Sequence, residues 1–174
     1  MTMSDQNNEP SAAEGGTGAP PDDHEANRVH DRATREYAST DIKVQWYASR
    51  CIHSAACIRA LPQVFDARKR PWIDVNAADA PAIAEAVVKC PTGALHFVRT
   101  DGGPQEQPPE GVTVTTVKNG PFFIRGRIEV TDTNGDVIRD DWRISLCRCG
   151  RSRHLPFCDN THRALGLHID DEDS

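Results

Sequence analysis

The stretch CRCGRSRHLPFCDNTH, residues 147–162, decides how the second half of this chain folds. It contains three cysteines and two histidines, and the cysteines and the second histidine follow the order Cys-x-Cys, eight residues, Cys, three residues, His. Thiolates and imidazoles are the side chains that bind zinc and iron–sulfur clusters. Zinc fingers usually take ligand pairs about two to four residues apart, and a Cys-x-Cys pair is tighter. The spacing predicts a Cys3His metal centre, with zinc as the alternative to iron, and its ligands would be Cys147, Cys149, Cys158 and His162.

The residues between these ligands also bear on the metal. Pro156 restricts the backbone before Cys158, and Asp159-Asn160 favours a turn because Asn tolerates a left-handed conformation. Ser152 and Thr161 can donate hydrogen bonds, which stabilise the sulfurs of a cluster and tune its potential. His154 falls outside the ligand spacing, and we expect it to be solvated or to support the ligands.

The segment resembles the CDGSH iron–sulfur domain of the mitoNEET-like type, whose pattern is Cys-x-Cys-x2-Ser/Thr-x3-Pro-x-Cys-Asp-Gly-Ser/Ala/Thr-His. The resemblance covers about residues 112–168, and Asn160 stands where the family has Gly. Asn is the non-glycine residue best suited to a positive φ, so we expect the loop to be preserved. The resemblance implies a [2Fe–2S] cluster on Cys147, Cys149, Cys158 and His162. The positions in register are Cys147, Cys149, Ser152, Pro156, Cys158, Asp159, Thr161 and His162.

His162 leads to a hypothesis about acid lability. A free imidazole titrates near ~6.5, and protonation competes with iron for the same lone pair. A histidine ligand therefore predicts a cluster that is lost in acid.

A second group of cysteines consists of Cys51, Cys57 and Cys90, the last followed by Pro91. A bacterial ferredoxin half-site reads Cys-x2-Cys-x2-Cys with a remote Cys-Pro; here Ser54 takes the middle position. Together, CIHSAACIRALPQVF, PWI and CPTGAL resemble the divergent 4Fe–4S mono-cluster ferredoxin-like domain, over about residues 37–100.

Three thiolates cannot ligate every iron of a cubane. The first site is therefore expected to hold [3Fe–4S], or [4Fe–4S] with Ser54, His53 or solvent as the fourth ligand. We expect His53 to support the cluster rather than bind it. Three buried structural thiols are the alternative to a cluster.

The bulk properties exclude several classes of protein. The 174 residues carry a formal net charge of -6, which argues against a nucleic-acid partner. No run of residues approaches the length of a membrane span, and the start lacks the apolar stretch of a secretion signal. We therefore expect a cytoplasmic protein whose six cysteines are not paired in disulfides.

The order of predicted elements indicates an α+β fold. A small ferredoxin-like domain at 37–100 is followed by a linker at 101–111 and a mainly β domain at 112–168. Within the first domain, a strand is predicted at 42–49, a helix capped by Asp79 and stopped by Pro91, and a short strand near 72–75. In the second domain, Asn134-Gly135 predicts a hairpin turn. Residues 1–36 are predicted to be a disordered tail, and residues 169–174 an acidic tail.

No catalytic motif is apparent, so we predict a carrier and not an enzyme. The leading function is one-electron transfer, and the alternatives are a sensor of redox state, iron or pH, a donor of its cluster to apo-proteins, or a zinc-binding interaction module. The partner would be an unidentified redox protein or apo-acceptor. A homodimer is expected because some CDGSH relatives pair two motifs across a dimer, and this chain has only one. Four basic residues could dock an acidic partner, balance cluster charge or simply be solvated: Arg148, Arg151, Arg153 and Arg163.

Overall fold

A computed structural model describes residues 33–170, which form two three-stranded antiparallel sheets and a few short helices. The first sheet has the order β1 (Arg35–Ala38), β2 (Ile42–Trp46) and β3 (Leu95–Arg99). Ile42 and Val44 of the central strand are fully buried. Their alternation with more exposed residues is the period of a sheet with one face on the core. Of the tail predicted at 1–36, residues 1–32 lie outside the described residues. Strand β1 begins at Arg35, within the last four residues of the predicted tail.

Two helices pack beside this sheet, α1 (Ala56–Ala60) and α2 (Ala80–Val87). The predicted cap of α2 is confirmed, because Asp79 Oδ1 accepts a hydrogen bond from Ala82 N at 2.9 Å. The helix ends at Val87 and not at Pro91, so Cys90 lies in the turn that follows it. The short strand predicted near 72–75 is reduced to one bridge between Phe65 and Ile73.

The second sheet consists of β4 (Thr113–Thr116), β5 (Phe122–Thr131) and β6 (Val137–Leu146). The predicted turn at Asn134-Gly135 joins β5 to β6, and Asp132 N donates to Asp136 O at 2.8 Å. At Gly126 the pairing of β5 with β6 shifts register, and φ is +141°. A Cβ there would lie 2.6 Å from the carbonyl oxygen of Gly111, so this bulge requires glycine.

Strand β6 connects the two sheets through buried charges. Arg50 Nη1 donates to Asp141 Oδ2 at 2.6 Å and to Gly93 O at 3.2 Å. His96 lies between two carboxylates, with its Nδ1 3.0 Å from Glu106 Oε2 and its Nε2 3.3 Å from Asp141 Oδ2. Because Asp141 belongs to β6 while Arg50 and His96 belong to the first unit, the contact joins the two halves of the chain.

Arg143 completes this buried charge network. Its guanidinium donates to the carbonyls of Val87 at 2.6 Å, Leu95 at 2.7 Å and Cys90 at 3.3 Å, and it pairs with Glu106. Strand β6 thus supplies a cation at the carboxyl end of α2, where carbonyls lack helical partners. We define the buried charge network as Arg50, His96, Glu106, Asp141 and Arg143.

The network shifts the pKa values of His96, Glu106 and Asp141. Burial lowers the pKa of His96, but Asp141 and Glu106 raise it more, so the pKa lies above its ordinary value. Burial raises the pKa of both carboxyls, but the neighbouring His96 and guanidiniums lower it more. The arrangement therefore favours the charged form of all three groups.

The structure adds two features to the predicted fold. The segment 101–111 has the composition of a linker, yet Glu106 is 6% exposed and its carboxylate also accepts from Phe97 N at 3.2 Å. Strands predominate in both units and the helices are short, so the described part is mostly β. Among these residues no helix is both long enough and apolar enough to cross a bilayer.

Candidate metal centres

The first candidate centre is formed by the three predicted thiols of the first unit. Cys51 begins an irregular segment, Cys57 lies in α1 and Cys90 follows α2. All three line one small cavity beneath the first sheet. Burial raises the pKa of Cys57 to about 11, with a further contribution from the nearby Cys90. Burial also raises the pKa of Cys51. Burial disfavours the charged thiolate, and a bound metal cation would compensate that charge and favour the ionised form of these thiols.

The two predicted candidates for a fourth ligand lie on the same loop. Ser54 lines the cavity together with the three thiols, and its Oγ accepts a hydrogen bond from Ala56 N at 3.4 Å. His53 is exposed, and its Nδ1 lies 3.9 Å from Cys51 Sγ. Ser54 is therefore on the enclosed side of the loop, whereas His53 borders an outer groove.

Two tryptophans beside these thiols were not singled out from the sequence. The rings of Trp46 and Trp72 meet edge to face, with centroids 5.2 Å apart, and both line the cavity. Their indole N–H groups are buried and have no hydrogen-bond partner among the described residues. Buried donors without a partner are costly, whereas the sulfurs of an iron–sulfur cluster accept such hydrogen bonds. Three thiols beside two unpartnered indole N–H donors therefore fit an iron–sulfur cluster.

A larger space lies on the outer side of two of the three thiols, Cys51 and Cys57. The enclosed cavity is only about 20 Å³, which is the room of one water molecule. Cys51 and Cys57 also line a groove of about 550 Å³, together with Trp46 and Trp72. The groove has the volume for a group larger than a single ion.

The second candidate centre follows β6 directly. Cys147 Sγ and Cys149 Sγ are 3.6 Å apart, close to the separation of about 3.8 Å for two sulfurs on one tetrahedral metal with bonds of about 2.3 Å. The loop then returns to the sheet, because Cys147 N donates to Pro156 O at 2.8 Å and Cys158 N donates to Ser145 O at 2.9 Å. This return positions Cys158 beside the end of β6, which Cys147 follows directly.

Backbone N–H groups surround the sulfurs of this loop. Arg151 N donates to Cys149 Sγ, and Asn160 N donates to Cys158 Sγ, both at 3.4 Å. Burial raises the pKa of Cys147, but the backbone N–H of Ser152 and the Cys149 thiol lower it more, so the net pKa is below its ordinary value. Burial raises the pKa of Cys158. Such donors favour bound thiolates.

The Asp159 carboxylate holds the loop in shape. It accepts hydrogen bonds from Arg153 N at 3.0 Å and Thr161 N at 2.9 Å. Burial raises the pKa of this carboxyl, but these donors lower it well below its usual range. The hydroxyl of Ser152 accepts from His154 N at 3.0 Å. Ser152 therefore supports the loop with its side chain and a thiol with its backbone.

His162 lies in α3 (Thr161–Ala164) and is only 3% exposed. The preceding Asn160 has φ +69°, so the prediction that Asn accommodates a left-handed backbone here is confirmed. His154 is exposed, and its Nδ1 lies 3.9 Å from Asp159 Oδ2.

Among the described residues, Arg148 is paired within the fold, unlike the other three residues of the basic cluster. Its guanidinium pairs with Asp170 at 2.6 Å and donates to the carbonyls of Gly120 and Val117. The acidic tail predicted from residue 169 is thus fixed at its start, where Ile169 N also donates to Asn119 Oδ1 at 2.8 Å. The exposed basic residues of the loop are Arg151, Arg153 and Arg163.

Comparison with known proteins agrees with these two centres. Residues 37–100 match the family model described as "Divergent 4Fe-4S mono-cluster", and residues 119–163 match "Iron-binding zinc finger CDGSH type". The chain is also similar to the "Uncharacterized protein YjdI" of Escherichia coli strain K12 and of Escherichia coli O157:H7. Each is 30% identical over 67 residues, which is 38% of this chain and 88% of the relative. No solved structure matches the chain.

The matches and the two thiol groups together define an iron–sulfur protein. The chain belongs to the divergent 4Fe–4S mono-cluster family through residues 37–100, and a CDGSH-type iron-binding domain follows at 119–163. The resemblances inferred from the cysteine spacing are therefore confirmed.

Proposed function

We propose that this protein transfers single electrons between a [2Fe–2S] cluster on its C-terminal loop and a [3Fe–4S] or [4Fe–4S] cluster on its first unit. The ligands of the former would be Cys147, Cys149, Cys158 and His162, and those of the latter Cys51, Cys57 and Cys90. A bound cluster supplies reversible one-electron chemistry at each site. The observation that carries the proposal is the presence of two separate donor sets in one connected fold.

The arrangement of donors supports a binuclear group over zinc on the C-terminal loop. Four ligands of one tetrahedral zinc would surround a single point. In residues 33–170, no three His, Cys, Asp or Glu side chains are arranged to hold one metal ion. The close pair Cys147 and Cys149 suits one iron with two protein ligands, and Cys158 and His162 would be the ligands of a second iron.

The chain's own residues would bind and tune the clusters. Backbone N–H groups of residues 151 and 160 donate to sulfur ligands, and the indoles of Trp46 and Trp72 offer donors at the first site. We assign no catalytic step to any side chain, so the protein acts as a carrier. A cytoplasmic location and a homodimer belong to the same proposal.

The partner in this proposal is an acidic redox protein that docks on Arg151, Arg153 and Arg163. These three residues are exposed beside the ligands, in a chain whose net charge is -6. Charge complementarity of this kind raises association rates in a salt-dependent way. Replacing all three with Gln should slow reduction by such a partner at low salt and have little effect at high salt.

A second candidate function is the donation of the C-terminal cluster to an apo-acceptor, or the sensing of redox state, iron or pH. It is favoured by the position of Cys147 and Cys149, which are only partly buried in a surface loop. Cluster transfer without net redox change would support this function, whereas rapid reversible reduction without cluster loss would support electron transfer.

Anaerobic purification with iron, sulfide and zinc analysis tests the proposal first. We expect a brown protein with two irons at one site and three or four at the other, resolved by visible and EPR spectra of Cys57→Ser and Cys149→Ser variants. A colourless protein that contains zinc on the C-terminal loop would contradict it.

A further inference from the structure

A side chain of the C-terminal loop connects the two candidate metal centres. The amide Nδ2 of Asn160 donates to the backbone carbonyl of Ile52 at 3.2 Å, across 108 residues of chain. Ile52 directly follows Cys51, and Asn160 lies two residues from both Cys158 and His162. The backbone N–H of Asn160 also donates to Cys158 Sγ at 3.4 Å. Asn160 therefore contacts a ligand of one centre with its backbone and the ligand loop of the other with its side chain.

Both partners of this contact belong to irregular, left-handed stretches of backbone. Asn160 has φ +69°, and on the other side His53 and Ala55 have φ +54° and +57°. No helix or strand includes residues 51–55. Such segments hold their shape through specific contacts with their surroundings. The Asn160 amide is one such contact for the Cys51 loop.

The choice of asparagine at this position follows from these two demands. The residue must adopt a positive φ, which glycine does most easily and asparagine next. It must also reach the Ile52 carbonyl with a donor, and glycine has none. The glycine of the CDGSH pattern could therefore shape the loop here but could not bind the neighbouring one.

We propose that Asn160 is a positioning residue that couples the two metal centres, so that loading either one stabilises the other. The proposal rests on the proposed function, because it requires a cluster at each site. Metal bound by Cys51, Cys57 and Cys90 fixes the carbonyl of Ile52, which in turn holds Asn160 beside Cys158. By linkage, the same coupling acts in the reverse direction.

A double-mutant cycle tests this coupling by the release of the C-terminal cluster. Four proteins are compared: the unchanged chain, Cys57→Ser, Asn160→Gly and the double variant. Loss of the C-terminal cluster to a chelator is followed by visible absorption. Cys57→Ser should accelerate the loss about two- to tenfold, the range for one hydrogen bond, and the acceleration should disappear in the Asn160→Gly background.

Asn119→Gly is the matched control. Asn119 also has a positive φ, of +51°, but its side chain binds the backbone of residues 169 and 170 and not the Cys51 loop. Cys57→Ser should therefore still accelerate the loss in the Asn119→Gly background. If Cys57→Ser fails to fold, the reciprocal cycle uses Cys149→Ser and follows the cluster of the first site.

The outcomes separate this coupling from the proposed function. Equal acceleration by Cys57→Ser with and without the Asn160 amide, in iron-loaded protein, would overturn the coupling alone. A colourless or zinc-loaded protein would overturn the proposed function and the coupling with it. If Cys57→Ser accelerates the loss of the C-terminal cluster in every background except Asn160→Gly, the result would support both the coupling and the proposed function.

Discussion

Arg50 and Asp141 form a buried ion pair with 2.6 Å between Nη1 and Oδ2, although 91 residues separate them in the chain. Arg50 directly precedes the predicted ligand Cys51, and Asp141 lies on the strand that leads to Cys147. Each metal-binding loop is thus attached to the same buried charge network. The two units share an ionic core in addition to the apolar core of the first.

Asp141→Asn is expected to destabilise the whole described fold. The change leaves Arg50 and His96 buried without one counterion, and breaking a buried pair typically costs about 3–5 kcal/mol. The measurement is urea unfolding of the iron-loaded protein, followed by circular dichroism. Glu85→Gln is the control, because Glu85 pairs with Lys89 on the exposed face of α2 at 2.9 Å and exposed pairs contribute little. Equal losses in both variants would contradict this prediction.

His96 should make stability depend on pH. Burial lowers its pKa, but Asp141 and Glu106 raise it more, so its folded pKa is above the ordinary value. The charged form therefore stabilises the fold fully below about pH 6.5, and this contribution is lost as the pH rises through the folded pKa.

The test of His96 compares the free energy of unfolding between about pH 6 and pH 8.5. The unchanged protein should lose stability over this interval more steeply than His96→Gln, which has no group to titrate at this position. Parallel profiles for the two proteins would show that His96 does not titrate as expected.

Trp46→Phe and Trp72→Phe should each lower the reduction potential of the first site. Each change keeps an aromatic ring but removes an indole N–H that has no partner in the described part of the chain. Hydrogen-bond donors stabilise the reduced cluster, because it is more negative than the oxidised one, and they therefore raise its reduction potential. A hydrogen bond of about 1 kcal/mol corresponds to about 40 mV for one electron.

Redox titration monitored by EPR measures these potentials. Trp142→Phe is the control, because the Trp142 ring packs against His96 at a centroid distance of 6.3 Å and does not line the cavity of the thiols. Unchanged potentials in Trp46→Phe and Trp72→Phe would exclude the indoles as donors.

His162→Cys should make the C-terminal cluster more resistant to acid. A protonated imidazole no longer offers its lone pair to iron, whereas a thiolate ligand carries charge and binds iron strongly. The measurement is the pH at which half of the visible absorption is lost within a fixed time. Loss at the same pH in both proteins would show that His162 does not set the acid lability.

The sequence is most informative where the signal is local. The spacing of Cys147, Cys149 and Cys158 indicates a metal loop because ligands close in sequence must also be close in space. Asp79 as a helix cap and Asn134-Gly135 as a hairpin turn are confirmed for the same reason. Each depends on backbone geometry over three or four residues.

The buried charge network could not be inferred in this way. Its side-chain pairs join residues 10 to 91 positions apart, and charged residues usually indicate an exposed face. Glu106 lies in a segment rich in Gly and Pro, a composition typical of linkers. One available signal was on β6, where Asp141 and Arg143 alternate at the spacing of residues that share one face of a strand.

The same network has a consequence for the order in which the chain is synthesised. When residues 35–99 have left the ribosome, Arg50 and His96 have emerged but Asp141 follows His96 by 45 residues. Arg143, which donates to the carbonyls of Val87 and Cys90, emerges later still. The first metal-binding unit therefore lacks the contacts of Asp141 and Arg143 until β6 is made, and nascent chains that stop before it are expected to be poor substrates for cluster insertion.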